Sequence, residues 1–128
     1  MRRRGFSSIF AADDGAALVE YVLILPAFLA IVLGLMQLGG MAWTSAALNN
    51  AVQDAARCAA VRPDICGTAA QVQAYAAADM SGLPVPASAF TLSNAACGYD
   101  VQANATYSFI NSPFWSATQT LTAEACHP

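Results

Sequence analysis

Two groups of residues have types and spacings that could do chemistry. The first is the pair Gly15-Ala16, followed closely by Glu20-Tyr21 at the start of a long apolar run. A glycine can adopt backbone conformations that other residues avoid, and a carboxylate in or near the apolar phase usually has a partner. The second group could form two disulfides, because an even number of cysteines favours a disulfide framework. Its members are Cys58, Cys66, Cys97 and Cys126.

Other chemistry is excluded by what is missing from the pattern. The spacings C-x7-C and C-x28-C lack the close pairs of a structural zinc site, so His127 is interpreted as an exposed terminal residue and no metal is expected. No Ser-His-Asp set, phosphate loop or facing pair of acids can be assembled. Five basic residues against eight acids are too few to neutralise nucleic-acid phosphates. The sequence therefore predicts a non-enzyme without catalytic residues, cofactor or nucleic-acid partner.

The distribution of apolar residues indicates one membrane span. The chain has 128 residues, of which 57% are hydrophobic and only 10% are charged, which is too apolar for an ordinary soluble domain. Between Ala16 and Trp43 the single charge is Glu20, and residues 21–36 carry no polar group except a tyrosine hydroxyl. Together with its weakly polar flanks, this run exceeds the roughly 20 residues that cross a bilayer as a helix.

The basic residues predict how that span is oriented. Arg2, Arg3 and Arg4 precede it, and no basic residue follows before Arg57. Because basic residues stay on the cytoplasmic side, the N-terminus is expected inside and the remainder outside. All four cysteines then lie on the exported, oxidising side.

The elements that follow the span predict an α+β fold. The helix continues to about residue 62, since Leu48, Val52, Ala55 and Ala59 recur at helical spacing and Pro63 stops it.

A second, shorter helix is expected at residues 68–80, with Thr68 as its N-cap and Gly82 as its end. An antiparallel sheet of about three strands then occupies residues 89–126. Its first strand is expected at 89–93, and alternating apolar residues on either side of a turn at 111–113 form a hairpin.

Of the three possible disulfide connectivities, we favour Cys58–Cys66 with Cys97–Cys126. The midpoint of the second pair falls on the predicted turn. Strand parity places Cys97 and Cys126 on opposite faces, and a bulge at Gly98 would reconcile them.

The N-terminal segment also resembles a known family. GAALVEY resembles the cleavage signal of type IV prepilins, and its Glu-Tyr pair resembles the tight-adherence (Flp) branch. The run GAALVEYVLILPAFLAIVLGLMQLG, with AALNNAVQDAARCAAVR after it, is similar to the TadE family of small pilin-like proteins. The resemblance implies that a prepilin peptidase cuts after Gly15, that Ala16 becomes the mature N-terminus, and that Glu20, beside Tyr21, sets the register between subunits.

The resemblance further implies a pilin-like minor subunit (pseudopilin) that takes part in pilus assembly and surface adhesion. Residues 1–15 would be the leader, 16–43 the transmembrane and assembly helix, and 44–128 the exported domain. The implied partners are the prepilin peptidase, the major Flp pilin, other minor pilins and the inner-membrane assembly platform. The protein would be stored in the inner membrane with its C-terminal domain in the periplasm, and would then reach the pilus.

Three other interpretations remain open at this point. One is a minor pseudopilin of a type II secretion system. Another is a secreted protein cut by signal peptidase after Ala42, and the last is an uncut anchor that carries an adhesive domain. The mature N-terminus separates the pilin, secreted and anchor classes, because it would be Ala16, Trp43 or Met1 respectively.

Overall fold

The computed structural model of the chain describes residues 14–109 and 116–128, and their side chains from Leu18 onwards. It contains helices and an antiparallel sheet, so the α+β fold class is confirmed. The chain divides into two compact units, Met1–Met36 and Gln37–Pro128. The elements are α1 Asp14–Val61, α2 Pro63–Cys66, α3 Ala69–Asp79, a 3₁₀ turn Ala87–Ala89, β1 Phe90–Ala95, β2 Gly98–Ser108 and β3 Thr118–His127.

The described part of the first unit is a helix whose side chains are exposed on every face. Leu23 is 71% exposed, Leu29 48% and Met36 70%, and α1 passes through Pro26 without ending. Among the described residues, one helix, that running from Leu18 to Val61, is long and apolar enough to cross a membrane. A helix that is apolar all round needs lipid or other apolar helices around it.

In the second unit, the later part of α1 has one buried strip. The four positions predicted to form this strip are at most 1% exposed, which confirms the amphipathic pattern. These positions are Leu48, Val52, Ala55 and Ala59. The polar residues Gln53, Asp54 and Arg57 lie on the exposed side. The strip forms the centre of one hydrophobic core with α2, α3 and the inner face of the sheet.

The end of α1 differs slightly from the prediction. The helix stops at Val61, but the segment after it is another helical turn, α2, and not a loop. Pro63 is the first residue of α2, where its missing N–H is unpaired in any case. The backbone N–H of Cys66 donates to the carbonyl of Arg62 at 2.9 Å, which closes that turn.

The helix α3 begins as the sequence predicts. The Thr68 hydroxyl accepts from the backbone N–H of Gln71 at 3.3 Å, and the Gln71 side chain accepts from the backbone N–H of Thr68 at 3.1 Å. This reciprocal capping box satisfies two N–H groups that have no partner within the helix. Val72 and Ala76 then join the core.

The three strands form an antiparallel sheet in the order β1-β2-β3. Phe90 pairs with Ala103, and Ala103 pairs with Ala123, so their side chains share the inner face. The buried residues Val101 and Leu121 belong to the same face. The strand pattern expected from the alternating residues is confirmed, whereas the turn expected at 111–113 lies outside the described residues.

One edge of the sheet is covered by α3. The Gln73 side chain donates from Nε2 to the backbone carbonyl of Phe90 at 2.9 Å, which satisfies an edge acceptor of β1. Arg62 lies on the face of the Tyr75 ring, 5.9 Å from its centroid, and links the end of α1 to α3. The helices therefore hold β1 in place, while β3 forms the other edge.

Candidate functional site

The residues of the predicted cleavage site lie at the start of α1. Gly15 and Ala16 follow Asp14, the first residue of the helix. The arginines of the predicted leader lie outside the described residues. Cleavage between Gly15 and Ala16 stays a prediction.

Glu20 and Tyr21 lie on the exposed apolar part of α1. Tyr21 is 63% exposed, and Glu20 is exposed as well. In the described residues, the basic side chains are Arg57, Arg62 and His127, and all three belong to the second unit. Glu20 is therefore surrounded by exposed apolar side chains. Among the described residues, the first unit has no basic side chain that could pair with it.

Both disulfides lie in the second unit, and their pairing is the one favoured from the sequence. Cys58 bonds Cys66 with a Cα–Cα distance of 5.7 Å, and Cys97 bonds Cys126 with a Cα–Cα distance of 6.2 Å. The first joins the last turns of α1 to α2. The second joins the β1–β2 turn to the end of β3. All four cysteines are paired.

The prediction of a bulge at Gly98 is wrong for the pairing of β2 with β3. That register runs without interruption from Tyr99 opposite His127 to Ser108 opposite Thr118. Cys97 lies in the turn before β2, where strand parity does not apply. Gly98 instead has a φ of 123°, and a Cβ there would lie against the carbonyl of His127. The residue is a glycine because of this backbone conformation and close approach.

The sequence pattern did not predict that Asp100 would be buried. Its side chain is 4% exposed, although strand parity places it on the outer face, opposite Val101. The carboxylate oxygen Oδ2 accepts from the Ser93 hydroxyl at 3.2 Å and from Nε2 of Gln102 at 3.0 Å. The other oxygen, Oδ1, is buried without a partner. No local signal marks this position, because its burial depends on how β1 pairs with β2.

The remaining candidate positions show no chemical constellation. The ring Nδ1 of His127 lies 3.1 Å from the carbonyl oxygen of Pro128. Over residues 14–109 and 116–128, no group of three or more His, Cys, Asp or Glu side chains could hold a metal ion. The features available for function are therefore the exposed apolar segment with Glu20 and the surface of the disulfide-bonded unit.

A comparison with protein families agrees with the first of these features. Residues 15–57 match the family model described as TadE-like protein, which confirms the resemblance predicted from the sequence. The match spans the exposed apolar segment and continues into the buried strip of α1. Neither the curated proteins nor the solved structures contain a match to this chain. This similarity, over 43 of the 128 residues, suggests a protein associated with a Tad pilus. The apolar helix found in the described part of the chain is consistent with a membrane anchor.

Proposed function

We propose that this protein is a minor pilin of a tight-adherence pilus, cut after Gly15 by a prepilin peptidase and stored in the inner membrane. The observation that carries the proposal is the exposed apolar stretch 18–36, which contains one carboxylate, Glu20, and lies inside the TadE-like match. The proposed organisation is a leader at 1–15, a membrane and assembly helix at 16–43, and an exported domain at 44–128.

The proposed mechanism gives Glu20 a partner on another chain. Cleavage after Gly15 frees the amine of Ala16, which is protonated at neutral pH. A carboxylate in the apolar phase costs about 2 to 3 kcal/mol, and less near an interface. Pairing Glu20 with the Ala16 amine of a neighbouring subunit offsets this cost, and it fixes the axial register of two adjacent helices as subunits leave the bilayer.

Charge and cysteine chemistry support the proposed orientation. The three arginines before residue 5 favour a cytoplasmic N-terminus. Both disulfides lie in the second unit, and disulfides persist in oxidising compartments such as the periplasm. The exported side would therefore hold the unit that contains the sheet.

The second unit also supports a minor role in the filament over a bulk one. It contains a helix-and-sheet core with two disulfides, which is much larger than the nearly bare helix expected of a major Flp subunit. A folded unit of this kind suits priming or capping of the filament and contact with surfaces. Its partners would be the major pilin, other minor pilins and the assembly platform.

The packing of residues 37–42 argues against the secreted alternative. The Tyr107 hydroxyl donates to the backbone carbonyl of Gln37 at 3.4 Å, and Met41 packs against the core. Signal-peptidase cleavage after Ala42 would remove both contacts from the folded unit. The structure is better suited to a chain that keeps α1 intact into its second unit.

Replacing Glu20 with glutamine tests the proposal directly. The Glu20→Gln protein should insert and be cleaved like the unaltered protein, with Ala16 as the mature N-terminus by mass spectrometry. It should remain in the inner membrane and fail to appear in sheared surface filaments, because the attraction to the neighbouring amine is lost. The Glu20→Asp protein should recover part of the filament fraction, since it restores the charge.

The matched control is Glu124→Gln, the same chemical change at an exposed position of β3 in the second unit. This protein should enter filaments normally. Filament entry of the Glu20→Gln protein at the unaltered level would contradict the register mechanism. A mature N-terminus at Trp43 or Met1 would contradict the pilin assignment itself.

A further inference from the structure

One end of the second unit brings uncharged residues together from two distant parts of the chain. The unit begins at Gln37, directly after the apolar run 21–36. Tyr107, near the end of β2, lies against this entry point, since its hydroxyl donates to the Gln37 carbonyl. A Cβ added at Gly40 would lie 2.6 Å from the same hydroxyl oxygen. Gly40 therefore leaves room for the Tyr107 side chain to contact α1 at this level.

The same end carries exposed apolar and aromatic side chains. Leu38 is 54% exposed and Trp43 is 72% exposed. The Phe109 ring packs edge-on against Tyr107, with 5.3 Å between the ring centroids, and is only half-buried. We call this surface the Tyr107 end and define it by Gln37, Leu38, Trp43, Tyr107 and Phe109.

Charged residues avoid this end in both contributing segments. The sequence has no charged residue between Glu20 and Asp54, and none between Asp100 and Glu124. The charged residues of the unit lie late in α1, between α1 and α2, in α2 and α3, and at the opposite ends of β2 and β3. They are Asp54, Arg57, Arg62, Asp64, Asp79, Asp100 and Glu124. The surfaces of soluble domains ordinarily intersperse charged residues of both signs, so two charge-free segments that meet at one end are unusual.

We propose that the Tyr107 end is a membrane-contact surface that rests in the boundary layer between lipid headgroups and acyl chains. The inference rests on the proposed storage of the protein in a bilayer. Gln37 of the Tyr107 end follows the apolar run in the sequence. Trp and Tyr prefer this layer because one end of each ring is apolar and the other is polar. Tyr107 and Phe109 then form a second lipid contact, apart from the residues of α1.

The chemistry of the surface specifies the lipid it fits. Without a basic side chain it gains nothing from anionic headgroups, unlike polybasic membrane surfaces. Its attraction is apolar burial together with the hydrogen-bonding ends of Tyr and Trp. The contact should therefore be as strong on zwitterionic phosphatidylcholine as on mixtures with phosphatidylglycerol, and it should not change with salt.

Three single-tryptophan proteins test the proposal. Trp43 and Trp115 are replaced by phenylalanine, and one tryptophan is introduced as Phe109→Trp, Tyr99→Trp or Leu29→Trp. The full-length proteins are reconstituted into phosphatidylcholine vesicles whose acyl chains carry bromine either near the headgroup or near the chain end. Protection of all four cysteines from thiol labelling verifies the fold.

The Phe109→Trp protein should be quenched several-fold more strongly by the shallow bromines than the Tyr99→Trp protein, and it should be shielded from aqueous acrylamide. Tyr99 is the matched control, because it is an aromatic residue at the other end of the same strand. The Leu29→Trp protein should be quenched best by the deep bromines. Adding phosphatidylglycerol or salt should leave all three results unchanged.

Several outcomes would overturn the proposal. If the Phe109→Trp and Tyr99→Trp proteins behave alike while the Leu29→Trp protein is quenched, the span stands and the lipid contact fails. Shielding from acrylamide without lipid quenching would indicate a protein partner at this end. Quenching that falls with salt would indicate an electrostatic contact. If lipid does not quench the Leu29→Trp protein, membrane storage fails and the inference fails with it.

Discussion

The helix α1 contains two stretches with the same secondary structure and opposite surroundings. Leu29, in the first unit, is 48% exposed, whereas Leu48, in the second unit, is fully buried. The stretch 18–36 is apolar on all faces, whereas the stretch from residue 44 onwards is apolar on one strip. The difference teaches that one helix can meet two requirements. The later stretch is covered by the sheet of its own unit, whereas no described residue of the chain covers the earlier stretch.

The largest expected effect comes from removing the same side chain in each stretch. Leu48→Ala should lower the free energy of unfolding of the second unit by about 2 to 5 kcal/mol, because it opens a cavity in the core. Leu29→Ala should change it by less than about 0.5 kcal/mol, since that side chain contributes nothing to this core. Urea unfolding of the detergent-solubilised proteins, followed by near-ultraviolet circular dichroism, measures both values.

Equal losses of stability from the two substitutions would break the comparison. That result would mean that the earlier stretch of α1 also contributes to the folded unit. A small effect of Leu48→Ala alone would mean that the core tolerates the missing methyl groups by collapsing around them.

A smaller but comparable effect is expected from the long disulfide. Cys97→Ser should lower the free energy of unfolding of the second unit by about 2 to 4 kcal/mol, because the bond no longer restricts the unfolded chain. Cys126 should become accessible to a maleimide while the Cys58–Cys66 pair stays protected. Mass spectrometry of the labelled protein identifies which thiol reacts.

Labelling of Cys58 or Cys66 in the Cys97→Ser protein would contradict the observed pairing. The double replacement of Cys97 and Cys126 is the control for thiol exchange, because it leaves no free sulfur. Its unfolding free energy should match that of the single replacement.

The smallest effect concerns a helix end. Thr68→Ala should lower the free energy of unfolding of the second unit by about 1 kcal/mol, because the backbone N–H of Gln71 loses its acceptor. Ser81→Ala, an exposed hydroxyl removed just after α3, should be nearly neutral. The difference between the two substitutions measures how much the capping box contributes to the stability of the second unit, in addition to the buried strip. Equal effects of the two substitutions on the melting temperature would count against the capping box.

Much of the fold was predictable because apolar residues recur at regular spacings within each helix and strand. The buried strip of α1 follows from apolar residues that recur every three or four positions, and the strands follow from alternation. The cap at Thr68 is visible as a short motif with Gln71. The helix α2 was not predicted, since Pro63 ends one helix and the same residue can begin the next.

Contacts between distant segments were not predictable from such patterns. The hydrogen bond of Tyr107 to the Gln37 carbonyl depends on where the hairpin meets the helix. The burial of Asp100 depends on the register of β1 with β2, whereas local alternation predicts an exposed side chain. The residues of the candidate site were predicted through the family resemblance of the N-terminal segment. The role proposed for Glu20 needs a second chain, so no pattern within one chain specifies its geometry.

The order of strands in the sheet has a consequence for synthesis. The helix α1 is made before the sheet, and β3, which pairs with the central strand β2, is the last of the described elements to be made. A chain that stops before Thr118 leaves the inner face of β2 without Leu121 and leaves Cys97 without its sulfur partner. An unfinished molecule therefore differs from a finished one by a reactive thiol and an uncovered apolar surface.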